Sequence, residues 1–180
     1  GLAQRLLLAG RHLVGGGPPG RASGRSERGT LRKVVDLDDD AVALEAADGW
    51  TVTFGALDRL SDEVAAGLHA DHGIGEGDLV ALVLPSTPEY VVAYCAAAKL
   101  GAITAGVNPR YTDAARAAVL AVAQPDLEIT TADLAGTVPD GTAVVVVDVV
   151  TGEPTEEVAD RLLSDLRSGP VGAAPPPLAD

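Results

Sequence analysis

The sequence predicts an α/β protein: a partial doubly wound, mostly parallel sheet with helices on both faces. Three observations carry that expectation. Leu79–Leu84 is an unbroken apolar run, as in a strand covered on both sides. Leu57, Leu60, Val64 and Leu68 recur at three- and four-residue steps, the single apolar stripe of a helix. Strand-like and helix-like segments then alternate, a rhythm that parallel strands joined by crossover helices produce.

The elements follow in order. Ala41–Ala46 alternates only roughly and reads as an edge strand. Asp48-Gly49 reads as a hairpin turn into Trp50–Val52. The striped helix comes next, with Thr53 suited to its N-cap and Ala56 standing where a capping-box carboxylate would reach back. Gly73 and Gly75 are expected to end it. After the strand Leu79–Leu84, Thr87-Pro88-Glu89 starts a second helix. There Thr87 is the expected cap, Pro88 takes the first turn and Glu89 meets the positive end of the dipole. Tyr90–Leu100 is apolar nearly all round, so this helix is expected to be buried, with Lys99 at its negative end. Ala102–Val107 is the next strand. Thr112-Asp113 opens a third helix that Gln124-Pro125 stops. Leu127–Thr130 and Ala143–Val147 are short strands, and Glu156–Leu166 reads as a polar-faced helix.

Composition sets further bounds. The 180 residues predict a basic Gly/Pro/Arg-rich tail over 1–30, one domain over 31–168 and a Pro-rich linker over 169–180. Residues 1–33 carry seven basic groups against Glu27 alone, a net +6; the remainder carries six basic against 25 acidic groups, a net −19. So acidic a body argues against nucleic acid as a partner. The basic head reads as a solvated tail, with anionic lipid or RNA as the other readings. Within it, residues 2–14 can form a short amphipathic basic helix capable of weak membrane-surface contact. Cys95 is the only cysteine, so no internal disulfide can form; this fits a reducing, cytoplasmic setting. The sequence opens on Gly1, contains no Met and stops after Pro175-Pro176-Pro177-Leu178-Ala179-Asp180, which fits a partial gene product.

Several tempting motifs lose to simpler readings. Gly73-Ile74-Gly75-Glu76-Gly77 leaves a helix and enters a strand, the reverse of a dinucleotide-binding loop. Gly15-Gly16-Gly17-Pro18-Pro19-Gly20 lacks the Lys-Ser/Thr of a phosphate loop. His69 and His72 read as surface histidines at a helix end, and Asp36, Asp38, Asp39 and Asp40 as a solvated acidic turn. Cys95 has no readable base beside it and reads as an inert core residue. Asn108-Pro109-Arg110 follows a strand, where α/β sheets place ligands. Arg110 can therefore face a phosphate or carboxylate; alternatively, Asn108-Pro109 is a turn leading to the Thr112 cap. No catalytic, cofactor-binding or metal-binding residue is assigned.

One ordered set of segments goes further. Trp50-Thr51-Val52-Thr53-Phe54-Gly55-Ala56-Leu57 is followed by Gly77–Pro85, Pro88-Glu89-Tyr90, Lys99-Leu100-Gly101-Ala102 and Val107-Asn108-Pro109-Arg110-Tyr111-Thr112. In order and spacing this set, within roughly Val35 to Leu134, resembles the N-terminal part of the AMP-forming adenylating enzymes, the family of acyl-CoA synthetases, luciferases and peptide-synthetase adenylation domains. Ser86 stands where that family commonly has Asn, and Ala56 where it commonly has Glu. The resemblance implies an ATP-dependent ligase that joins a small carboxylic acid to ATP, releases pyrophosphate and passes the acyl group to a thiol. ATP, Mg and coenzyme A are implied for the full-length family member, and none for these residues. The family's Ser/Thr/Gly-rich phosphate loop with its lysine has no counterpart in residues 1–180, so this portion is expected to be inactive alone. Other readings are a non-catalytic doubly wound module that binds a nucleotide or partner, and an interaction protein derived from a degraded ligase gene.

Overall fold

A computed structural model describes residues 38–46, 49, 51–150 and 162–167. The expected basic tail, the helix within 2–14, the Pro-rich linker, Asp48 and Trp50 lie outside those residues. The first two strands, β1 (Val42–Glu45) and β2 (Thr51–Thr53), pair antiparallel, as the hairpin reading requires. Gly49 sits in the turn at φ +92°, a conformation open to glycine without strain.

Helix α1 (Phe54–His72) starts where Thr53 accepts a hydrogen bond from the Ala56 backbone N–H at 3.2 Å. It stops at Gly73, whose left-handed φ of 69° lets its N–H close on the last carbonyls. All four stripe residues, Leu57, Leu60, Val64 and Leu68, are buried.

The main sheet holds β3 (Leu79–Val83), β4 (Ile103–Gly106), β5 (Leu127–Thr130) and β6 (Ala143–Val146), in spatial order β4-β3-β5-β6 and parallel throughout. Helix α2 (Pro88–Lys99) joins β3 to β4, and α3 (Asp113–Ala123) joins β4 to β5. Alternation along β3 separates the two faces. Val80 and Leu82 enter a large core with α1 and α2, whereas Ala81 and Val83 enter a small one with Leu120 of α3 and Val107. Helices therefore cover both faces, as the sequence predicts.

Leu162, Leu163 and Leu166 return to the large core, and Arg167 Nη1 meets Glu63 Oε2 at 3.1 Å. Their backbone departs from the helix expected over 156–166. Residues 156–161 lie outside the described set, Leu163 has φ +50°, and Ser164–Leu166 is a single 3-10 turn. A left-handed residue interrupts an α-helix.

One further expectation is corrected. Thr87 occupies the N-cap position of α2, but its hydroxyl makes no cap hydrogen bond and is buried without a partner among the described residues. Lys99 stands in the last turn of α2, as expected, and its burial adds a role beyond the helix dipole. Its side chain is 1% exposed, and its ammonium donates to Asp58 O at 2.6 Å and Asp58 Oδ1 at 2.8 Å, with Asp62 Oδ1 at 2.7 Å. Asp58 and Asp62 lie one turn apart on α1, so one buried cation ties α1 to α2.

That asymmetry of burial yields a test. The two carboxylates reach water, but the ammonium does not. Asp58→Asn with Asp62→Asn leaves a buried charge without its counter-ions and is expected to cost about 3–5 kcal/mol. Lys99→Met leaves carboxylates that can hydrate and is expected to cost clearly less. Urea unfolding of the variants checks the order; Lys99→Met as the worse of the two contradicts it.

Candidate functional site

In an open parallel sheet the loops at the carboxyl ends of the strands converge, and ligands bind where the chain reverses direction across the sheet. Here the chain runs from β3 outward to β4, then back past β3 to β5, so the switch point lies between β3 and β5. The loop after β3 (Leu84–Thr87), the loop after β4 (Val107–Thr112) and Thr131 after β5 meet this end of the sheet.

The polar groups there are mostly engaged in building the loops. Thr130 Oγ1 lies 3.3 Å from the Val83 carbonyl, across the strands that flank the switch point, and Thr131 Oγ1 donates to Asp133 Oδ1 at 2.6 Å. Asn108 Oδ1 accepts the Arg110 backbone N–H at 2.9 Å, and the Tyr111 N–H donates to Asn108 O at 3.1 Å. The Asn108-Pro109 turn thus forms and leads to Thr112, whose hydroxyl accepts from the Ala115 N–H at 3.3 Å. Arg110 is exposed beside it. The residue that holds this loop is Arg116, which sequence reading did not single out. It is 8% exposed, and Nη1 donates to Tyr111 O at 2.7 Å and to Pro109 O at 3.4 Å while Nη2 pairs with Asp113.

Two buried carboxyls lie near these loops. Glu89, in the first turn of α2, is fully buried; Oε1 accepts the Val150 N–H at 2.7 Å and Oε2 has no partner among the described residues. Glu89 thus pins the chain leaving β6 to the start of α2. Glu128 of β5 is 1% exposed on the α3 side of the sheet, where burial pushes its carboxyl above the ordinary 4.5; a hydrogen bond with Thr130 and the Arg116 charge act the other way.

The remaining sequence candidates take structural places. Cys95 is buried in the large core, and burial raises its thiol to about 11, with Lys99 lowering it and Asp58 raising it. Such a thiol is a poor nucleophile at neutral pH. His69 Nδ1 lies 3.0 Å from Ile74 O at the end of α1. Among the described residues no three His, Cys, Asp or Glu side chains are grouped to hold a metal ion.

Neither strand-to-helix loop at the switch point contains glycine or lysine, and Pro88 removes one of the first N–H groups of α2. A nucleotide triphosphate with its magnesium requires a cradle of backbone N–H groups, a lysine and oxygen ligands for the metal. These loops do not supply that set.

The chain belongs to the AMP-binding enzyme family, whose sequence pattern matches residues 31–178. It is similar to 4-coumarate–CoA ligase 5 of Oryza sativa subsp. japonica, 37% identical in an alignment of 113 residues that covers 59% of this chain and 21% of that one. It is also similar to 4-coumarate–CoA ligase CCL1 of Humulus lupulus, 36% identical over 57% of this chain and 18% of the relative. Among solved structures, the N-terminal subdomain of Klebsiella oxytoca NpsA in complex with anthranilyl-AMSN superposes with a TM-score of 0.57 at 25% identity, covering 73% of this chain and 31% of that one. A benzoate CoA ligase from Burkholderia xenovorans LB400 shares the fold at TM-score 0.56 and 19% identity, over 74% of this chain and 28% of that one. The chain spans about a fifth of the length of these curated relatives.

The closest packing at the site gives a direct test. A Cβ on Gly106, at the end of β4, would stand 2.7 Å from the Tyr90 hydroxyl. Gly106→Ala is expected to destabilise by about 1–3 kcal/mol, as overpacking does. Tyr90→Phe in the same chain removes the clashing atom and is expected to recover most of that loss. A double-mutant cycle by thermal unfolding measures it; strict additivity contradicts the contact.

Proposed function

We propose that this chain forms the N-terminal portion of an ATP-dependent acid–thiol ligase. In that reaction the carboxylate of a small organic acid attacks the α-phosphorus of ATP, pyrophosphate leaves, and a thiol then displaces AMP from the acyl-adenylate. Coenzyme A is the proposed thiol and the cytoplasm the proposed setting. One observation carries the reading: the AMP-binding family pattern runs over residues 31–178. Named relatives include ligases for 4-coumarate and oxalate, so a small carboxylic acid is the proposed substrate class.

Within that ligase the role of residues 1–180 is structural. They supply a buried parallel strand, the layers that flank it and loops held by Arg116 and Glu89. ATP, magnesium and the reacting acid are assigned to other parts of the full-length protein, because the loops at the switch point do not offer the donors those groups need. No chemical step is routed through this chain's side chains.

Acid-dependent exchange of labelled pyrophosphate into ATP tests this. Purified residues 1–180 are expected to show no exchange above a contaminant control with any of a panel of small aromatic and aliphatic acids. Exchange that persists through repurification would place the catalytic apparatus inside this chain and overturn the assignment.

A further inference from the structure

We propose that Glu128 and Arg116 form a proton-governed latch on the loop after β4. With Glu128 neutral, Arg116 holds the loop; with Glu128 ionised, Arg116 turns to the sheet and the loop is released. All the groups involved lie on α3, β5 and that loop, so the latch draws on no other segment of the protein.

The carboxyl comes first. Glu128 stands level with Ala81 of β3 and Val144 of β6, on the face of the sheet that α3 covers. It is 1% exposed, and Oε2 has no partner among the described residues. A carboxylate buried without donors is costly, and the neutral acid costs far less. Burial accordingly raises this carboxyl above the ordinary 4.5, against the hydrogen bond with Thr130 and the charge of Arg116. Glu128 therefore gives up its proton more readily in any state that brings a cation to it.

Arg116 is the cation placed to do so. Beside Glu128, β3 and β6 contribute only Ala81 and Val144, and Val107, Leu120, Leu134 and Val138 complete that core without charge. Asp126 and Asp133, just before and after β5, are exposed and engaged with the Leu79 N–H and the Thr131 hydroxyl. Arg110 on the loop and Asp113 on α3 are exposed as well. Arg116 alone among these is buried, and its charge already acts on Glu128 although no ion pair joins the two in this state.

The present partners of Arg116 leave it free to exchange. Nη1 donates to two neutral carbonyls, Tyr111 O at 2.7 Å and Pro109 O at 3.4 Å. Nη2 pairs with Asp113, whose side chain is 87% exposed, and an ion pair so open to water contributes little. An ionised Glu128 offers an opposite charge in a dry setting and can accept two parallel N–H groups of a guanidinium. Turning to it breaks the two side-chain bonds that tie the loop to α3. What then remains is the turn itself, with the Arg110 N–H on Asn108 Oδ1 and the Tyr111 N–H on Asn108 O. The latched state keeps the proton and the released state gives it up. Latching is thus favoured in acid and weakens as pH rises past the ordinary carboxyl value of 4.5. One proton limits the change to about tenfold per pH unit.

Two measurements on the full chain test the latch together. Carbon NMR of the Glu128 carboxyl is expected to show it titrating above 4.5. Hydrogen exchange, corrected for intrinsic rates, is expected to show the Arg110 and Tyr111 amides losing protection with the same midpoint, by up to about tenfold per pH unit. In Glu128→Gln, which stays neutral, those amides are expected to keep their acid-pH protection throughout. In Arg116→Lys, whose compact ammonium cannot span both carbonyls, they are expected to be poorly protected at every pH. The same pH course in Glu128→Gln as in the unaltered chain overturns the proposal. So does a Glu128 carboxyl that titrates at or below its ordinary value, or undiminished loop protection in Arg116→Lys. If the glutamine variant fails to fold, the unaltered chain still decides: loss of loop protection at a midpoint other than that of the Glu128 carboxyl overturns the latch.

Discussion

Burial of β3 on both faces is the constraint on which the rest of the structure depends. A strand five residues long cannot be stable as a hairpin edge when none of its side chains is polar. Each face needs its own cover, and parallel neighbours with crossover helices provide it. Val80 and Leu82 commit one face to α1 and α2, and Ala81 and Val83 commit the other to α3. Full burial of a Leu or Val side chain contributes about 1.5–3 kcal/mol. The two faces are unequal: leucines fill the α1–α2 side, while alanine and valine leave the α3 side thin. The exposed Val119, Val122, Val144 and Val146 belong to α3 and to β6.

Buried charge joins these layers at few, specific points. Lys99 ties α2 to α1, Glu63 joins Arg59 and Arg167, Glu89 holds the chain beyond β6, and Arg116 holds the loop after β4. Each links segments that apolar contact alone would leave free to slide. A chain this rich in alanine has few large side chains to set the register of its helices. Paired charges supply directional contacts in their place, at the desolvation cost of keeping them dry.

Local patterns made much of the fold legible in the sequence. The stripe at Leu57, Leu60, Val64 and Leu68, the Thr53 and Thr112 caps and the run Leu79–Leu84 are short-range signals, and each element forms where they place it. Long-range pairing was not legible. Lys99 at a helix C-terminus looks like a dipole partner, and only packing of α1 on α2 sends it to Asp58 and Asp62, 41 and 37 residues earlier. The i,i+4 spacing of Asp58 and Asp62 was the available hint. Thr87 has every local mark of a cap, yet its hydroxyl makes no cap hydrogen bond and has no partner among the described residues, while its backbone takes the cap conformation. Arg110 drew attention by its position after a strand, whereas Arg116, one turn into α3, is the residue that builds the loop. A guanidinium bonded to carbonyls leaves no signature in sequence spacing.

Native-state hydrogen exchange tests the account most directly, because protection reports the free energy of opening each segment. If burial of β3 on both faces anchors the fold, the amides of Val80–Val83 should be the slowest to exchange and should open only with global unfolding. Those of α3 should exchange through smaller openings, since its core is thin, and those of β1 and β2 sooner still. Slowest exchange in α3 or in the β1–β2 hairpin, with β3 opening early, would contradict the account.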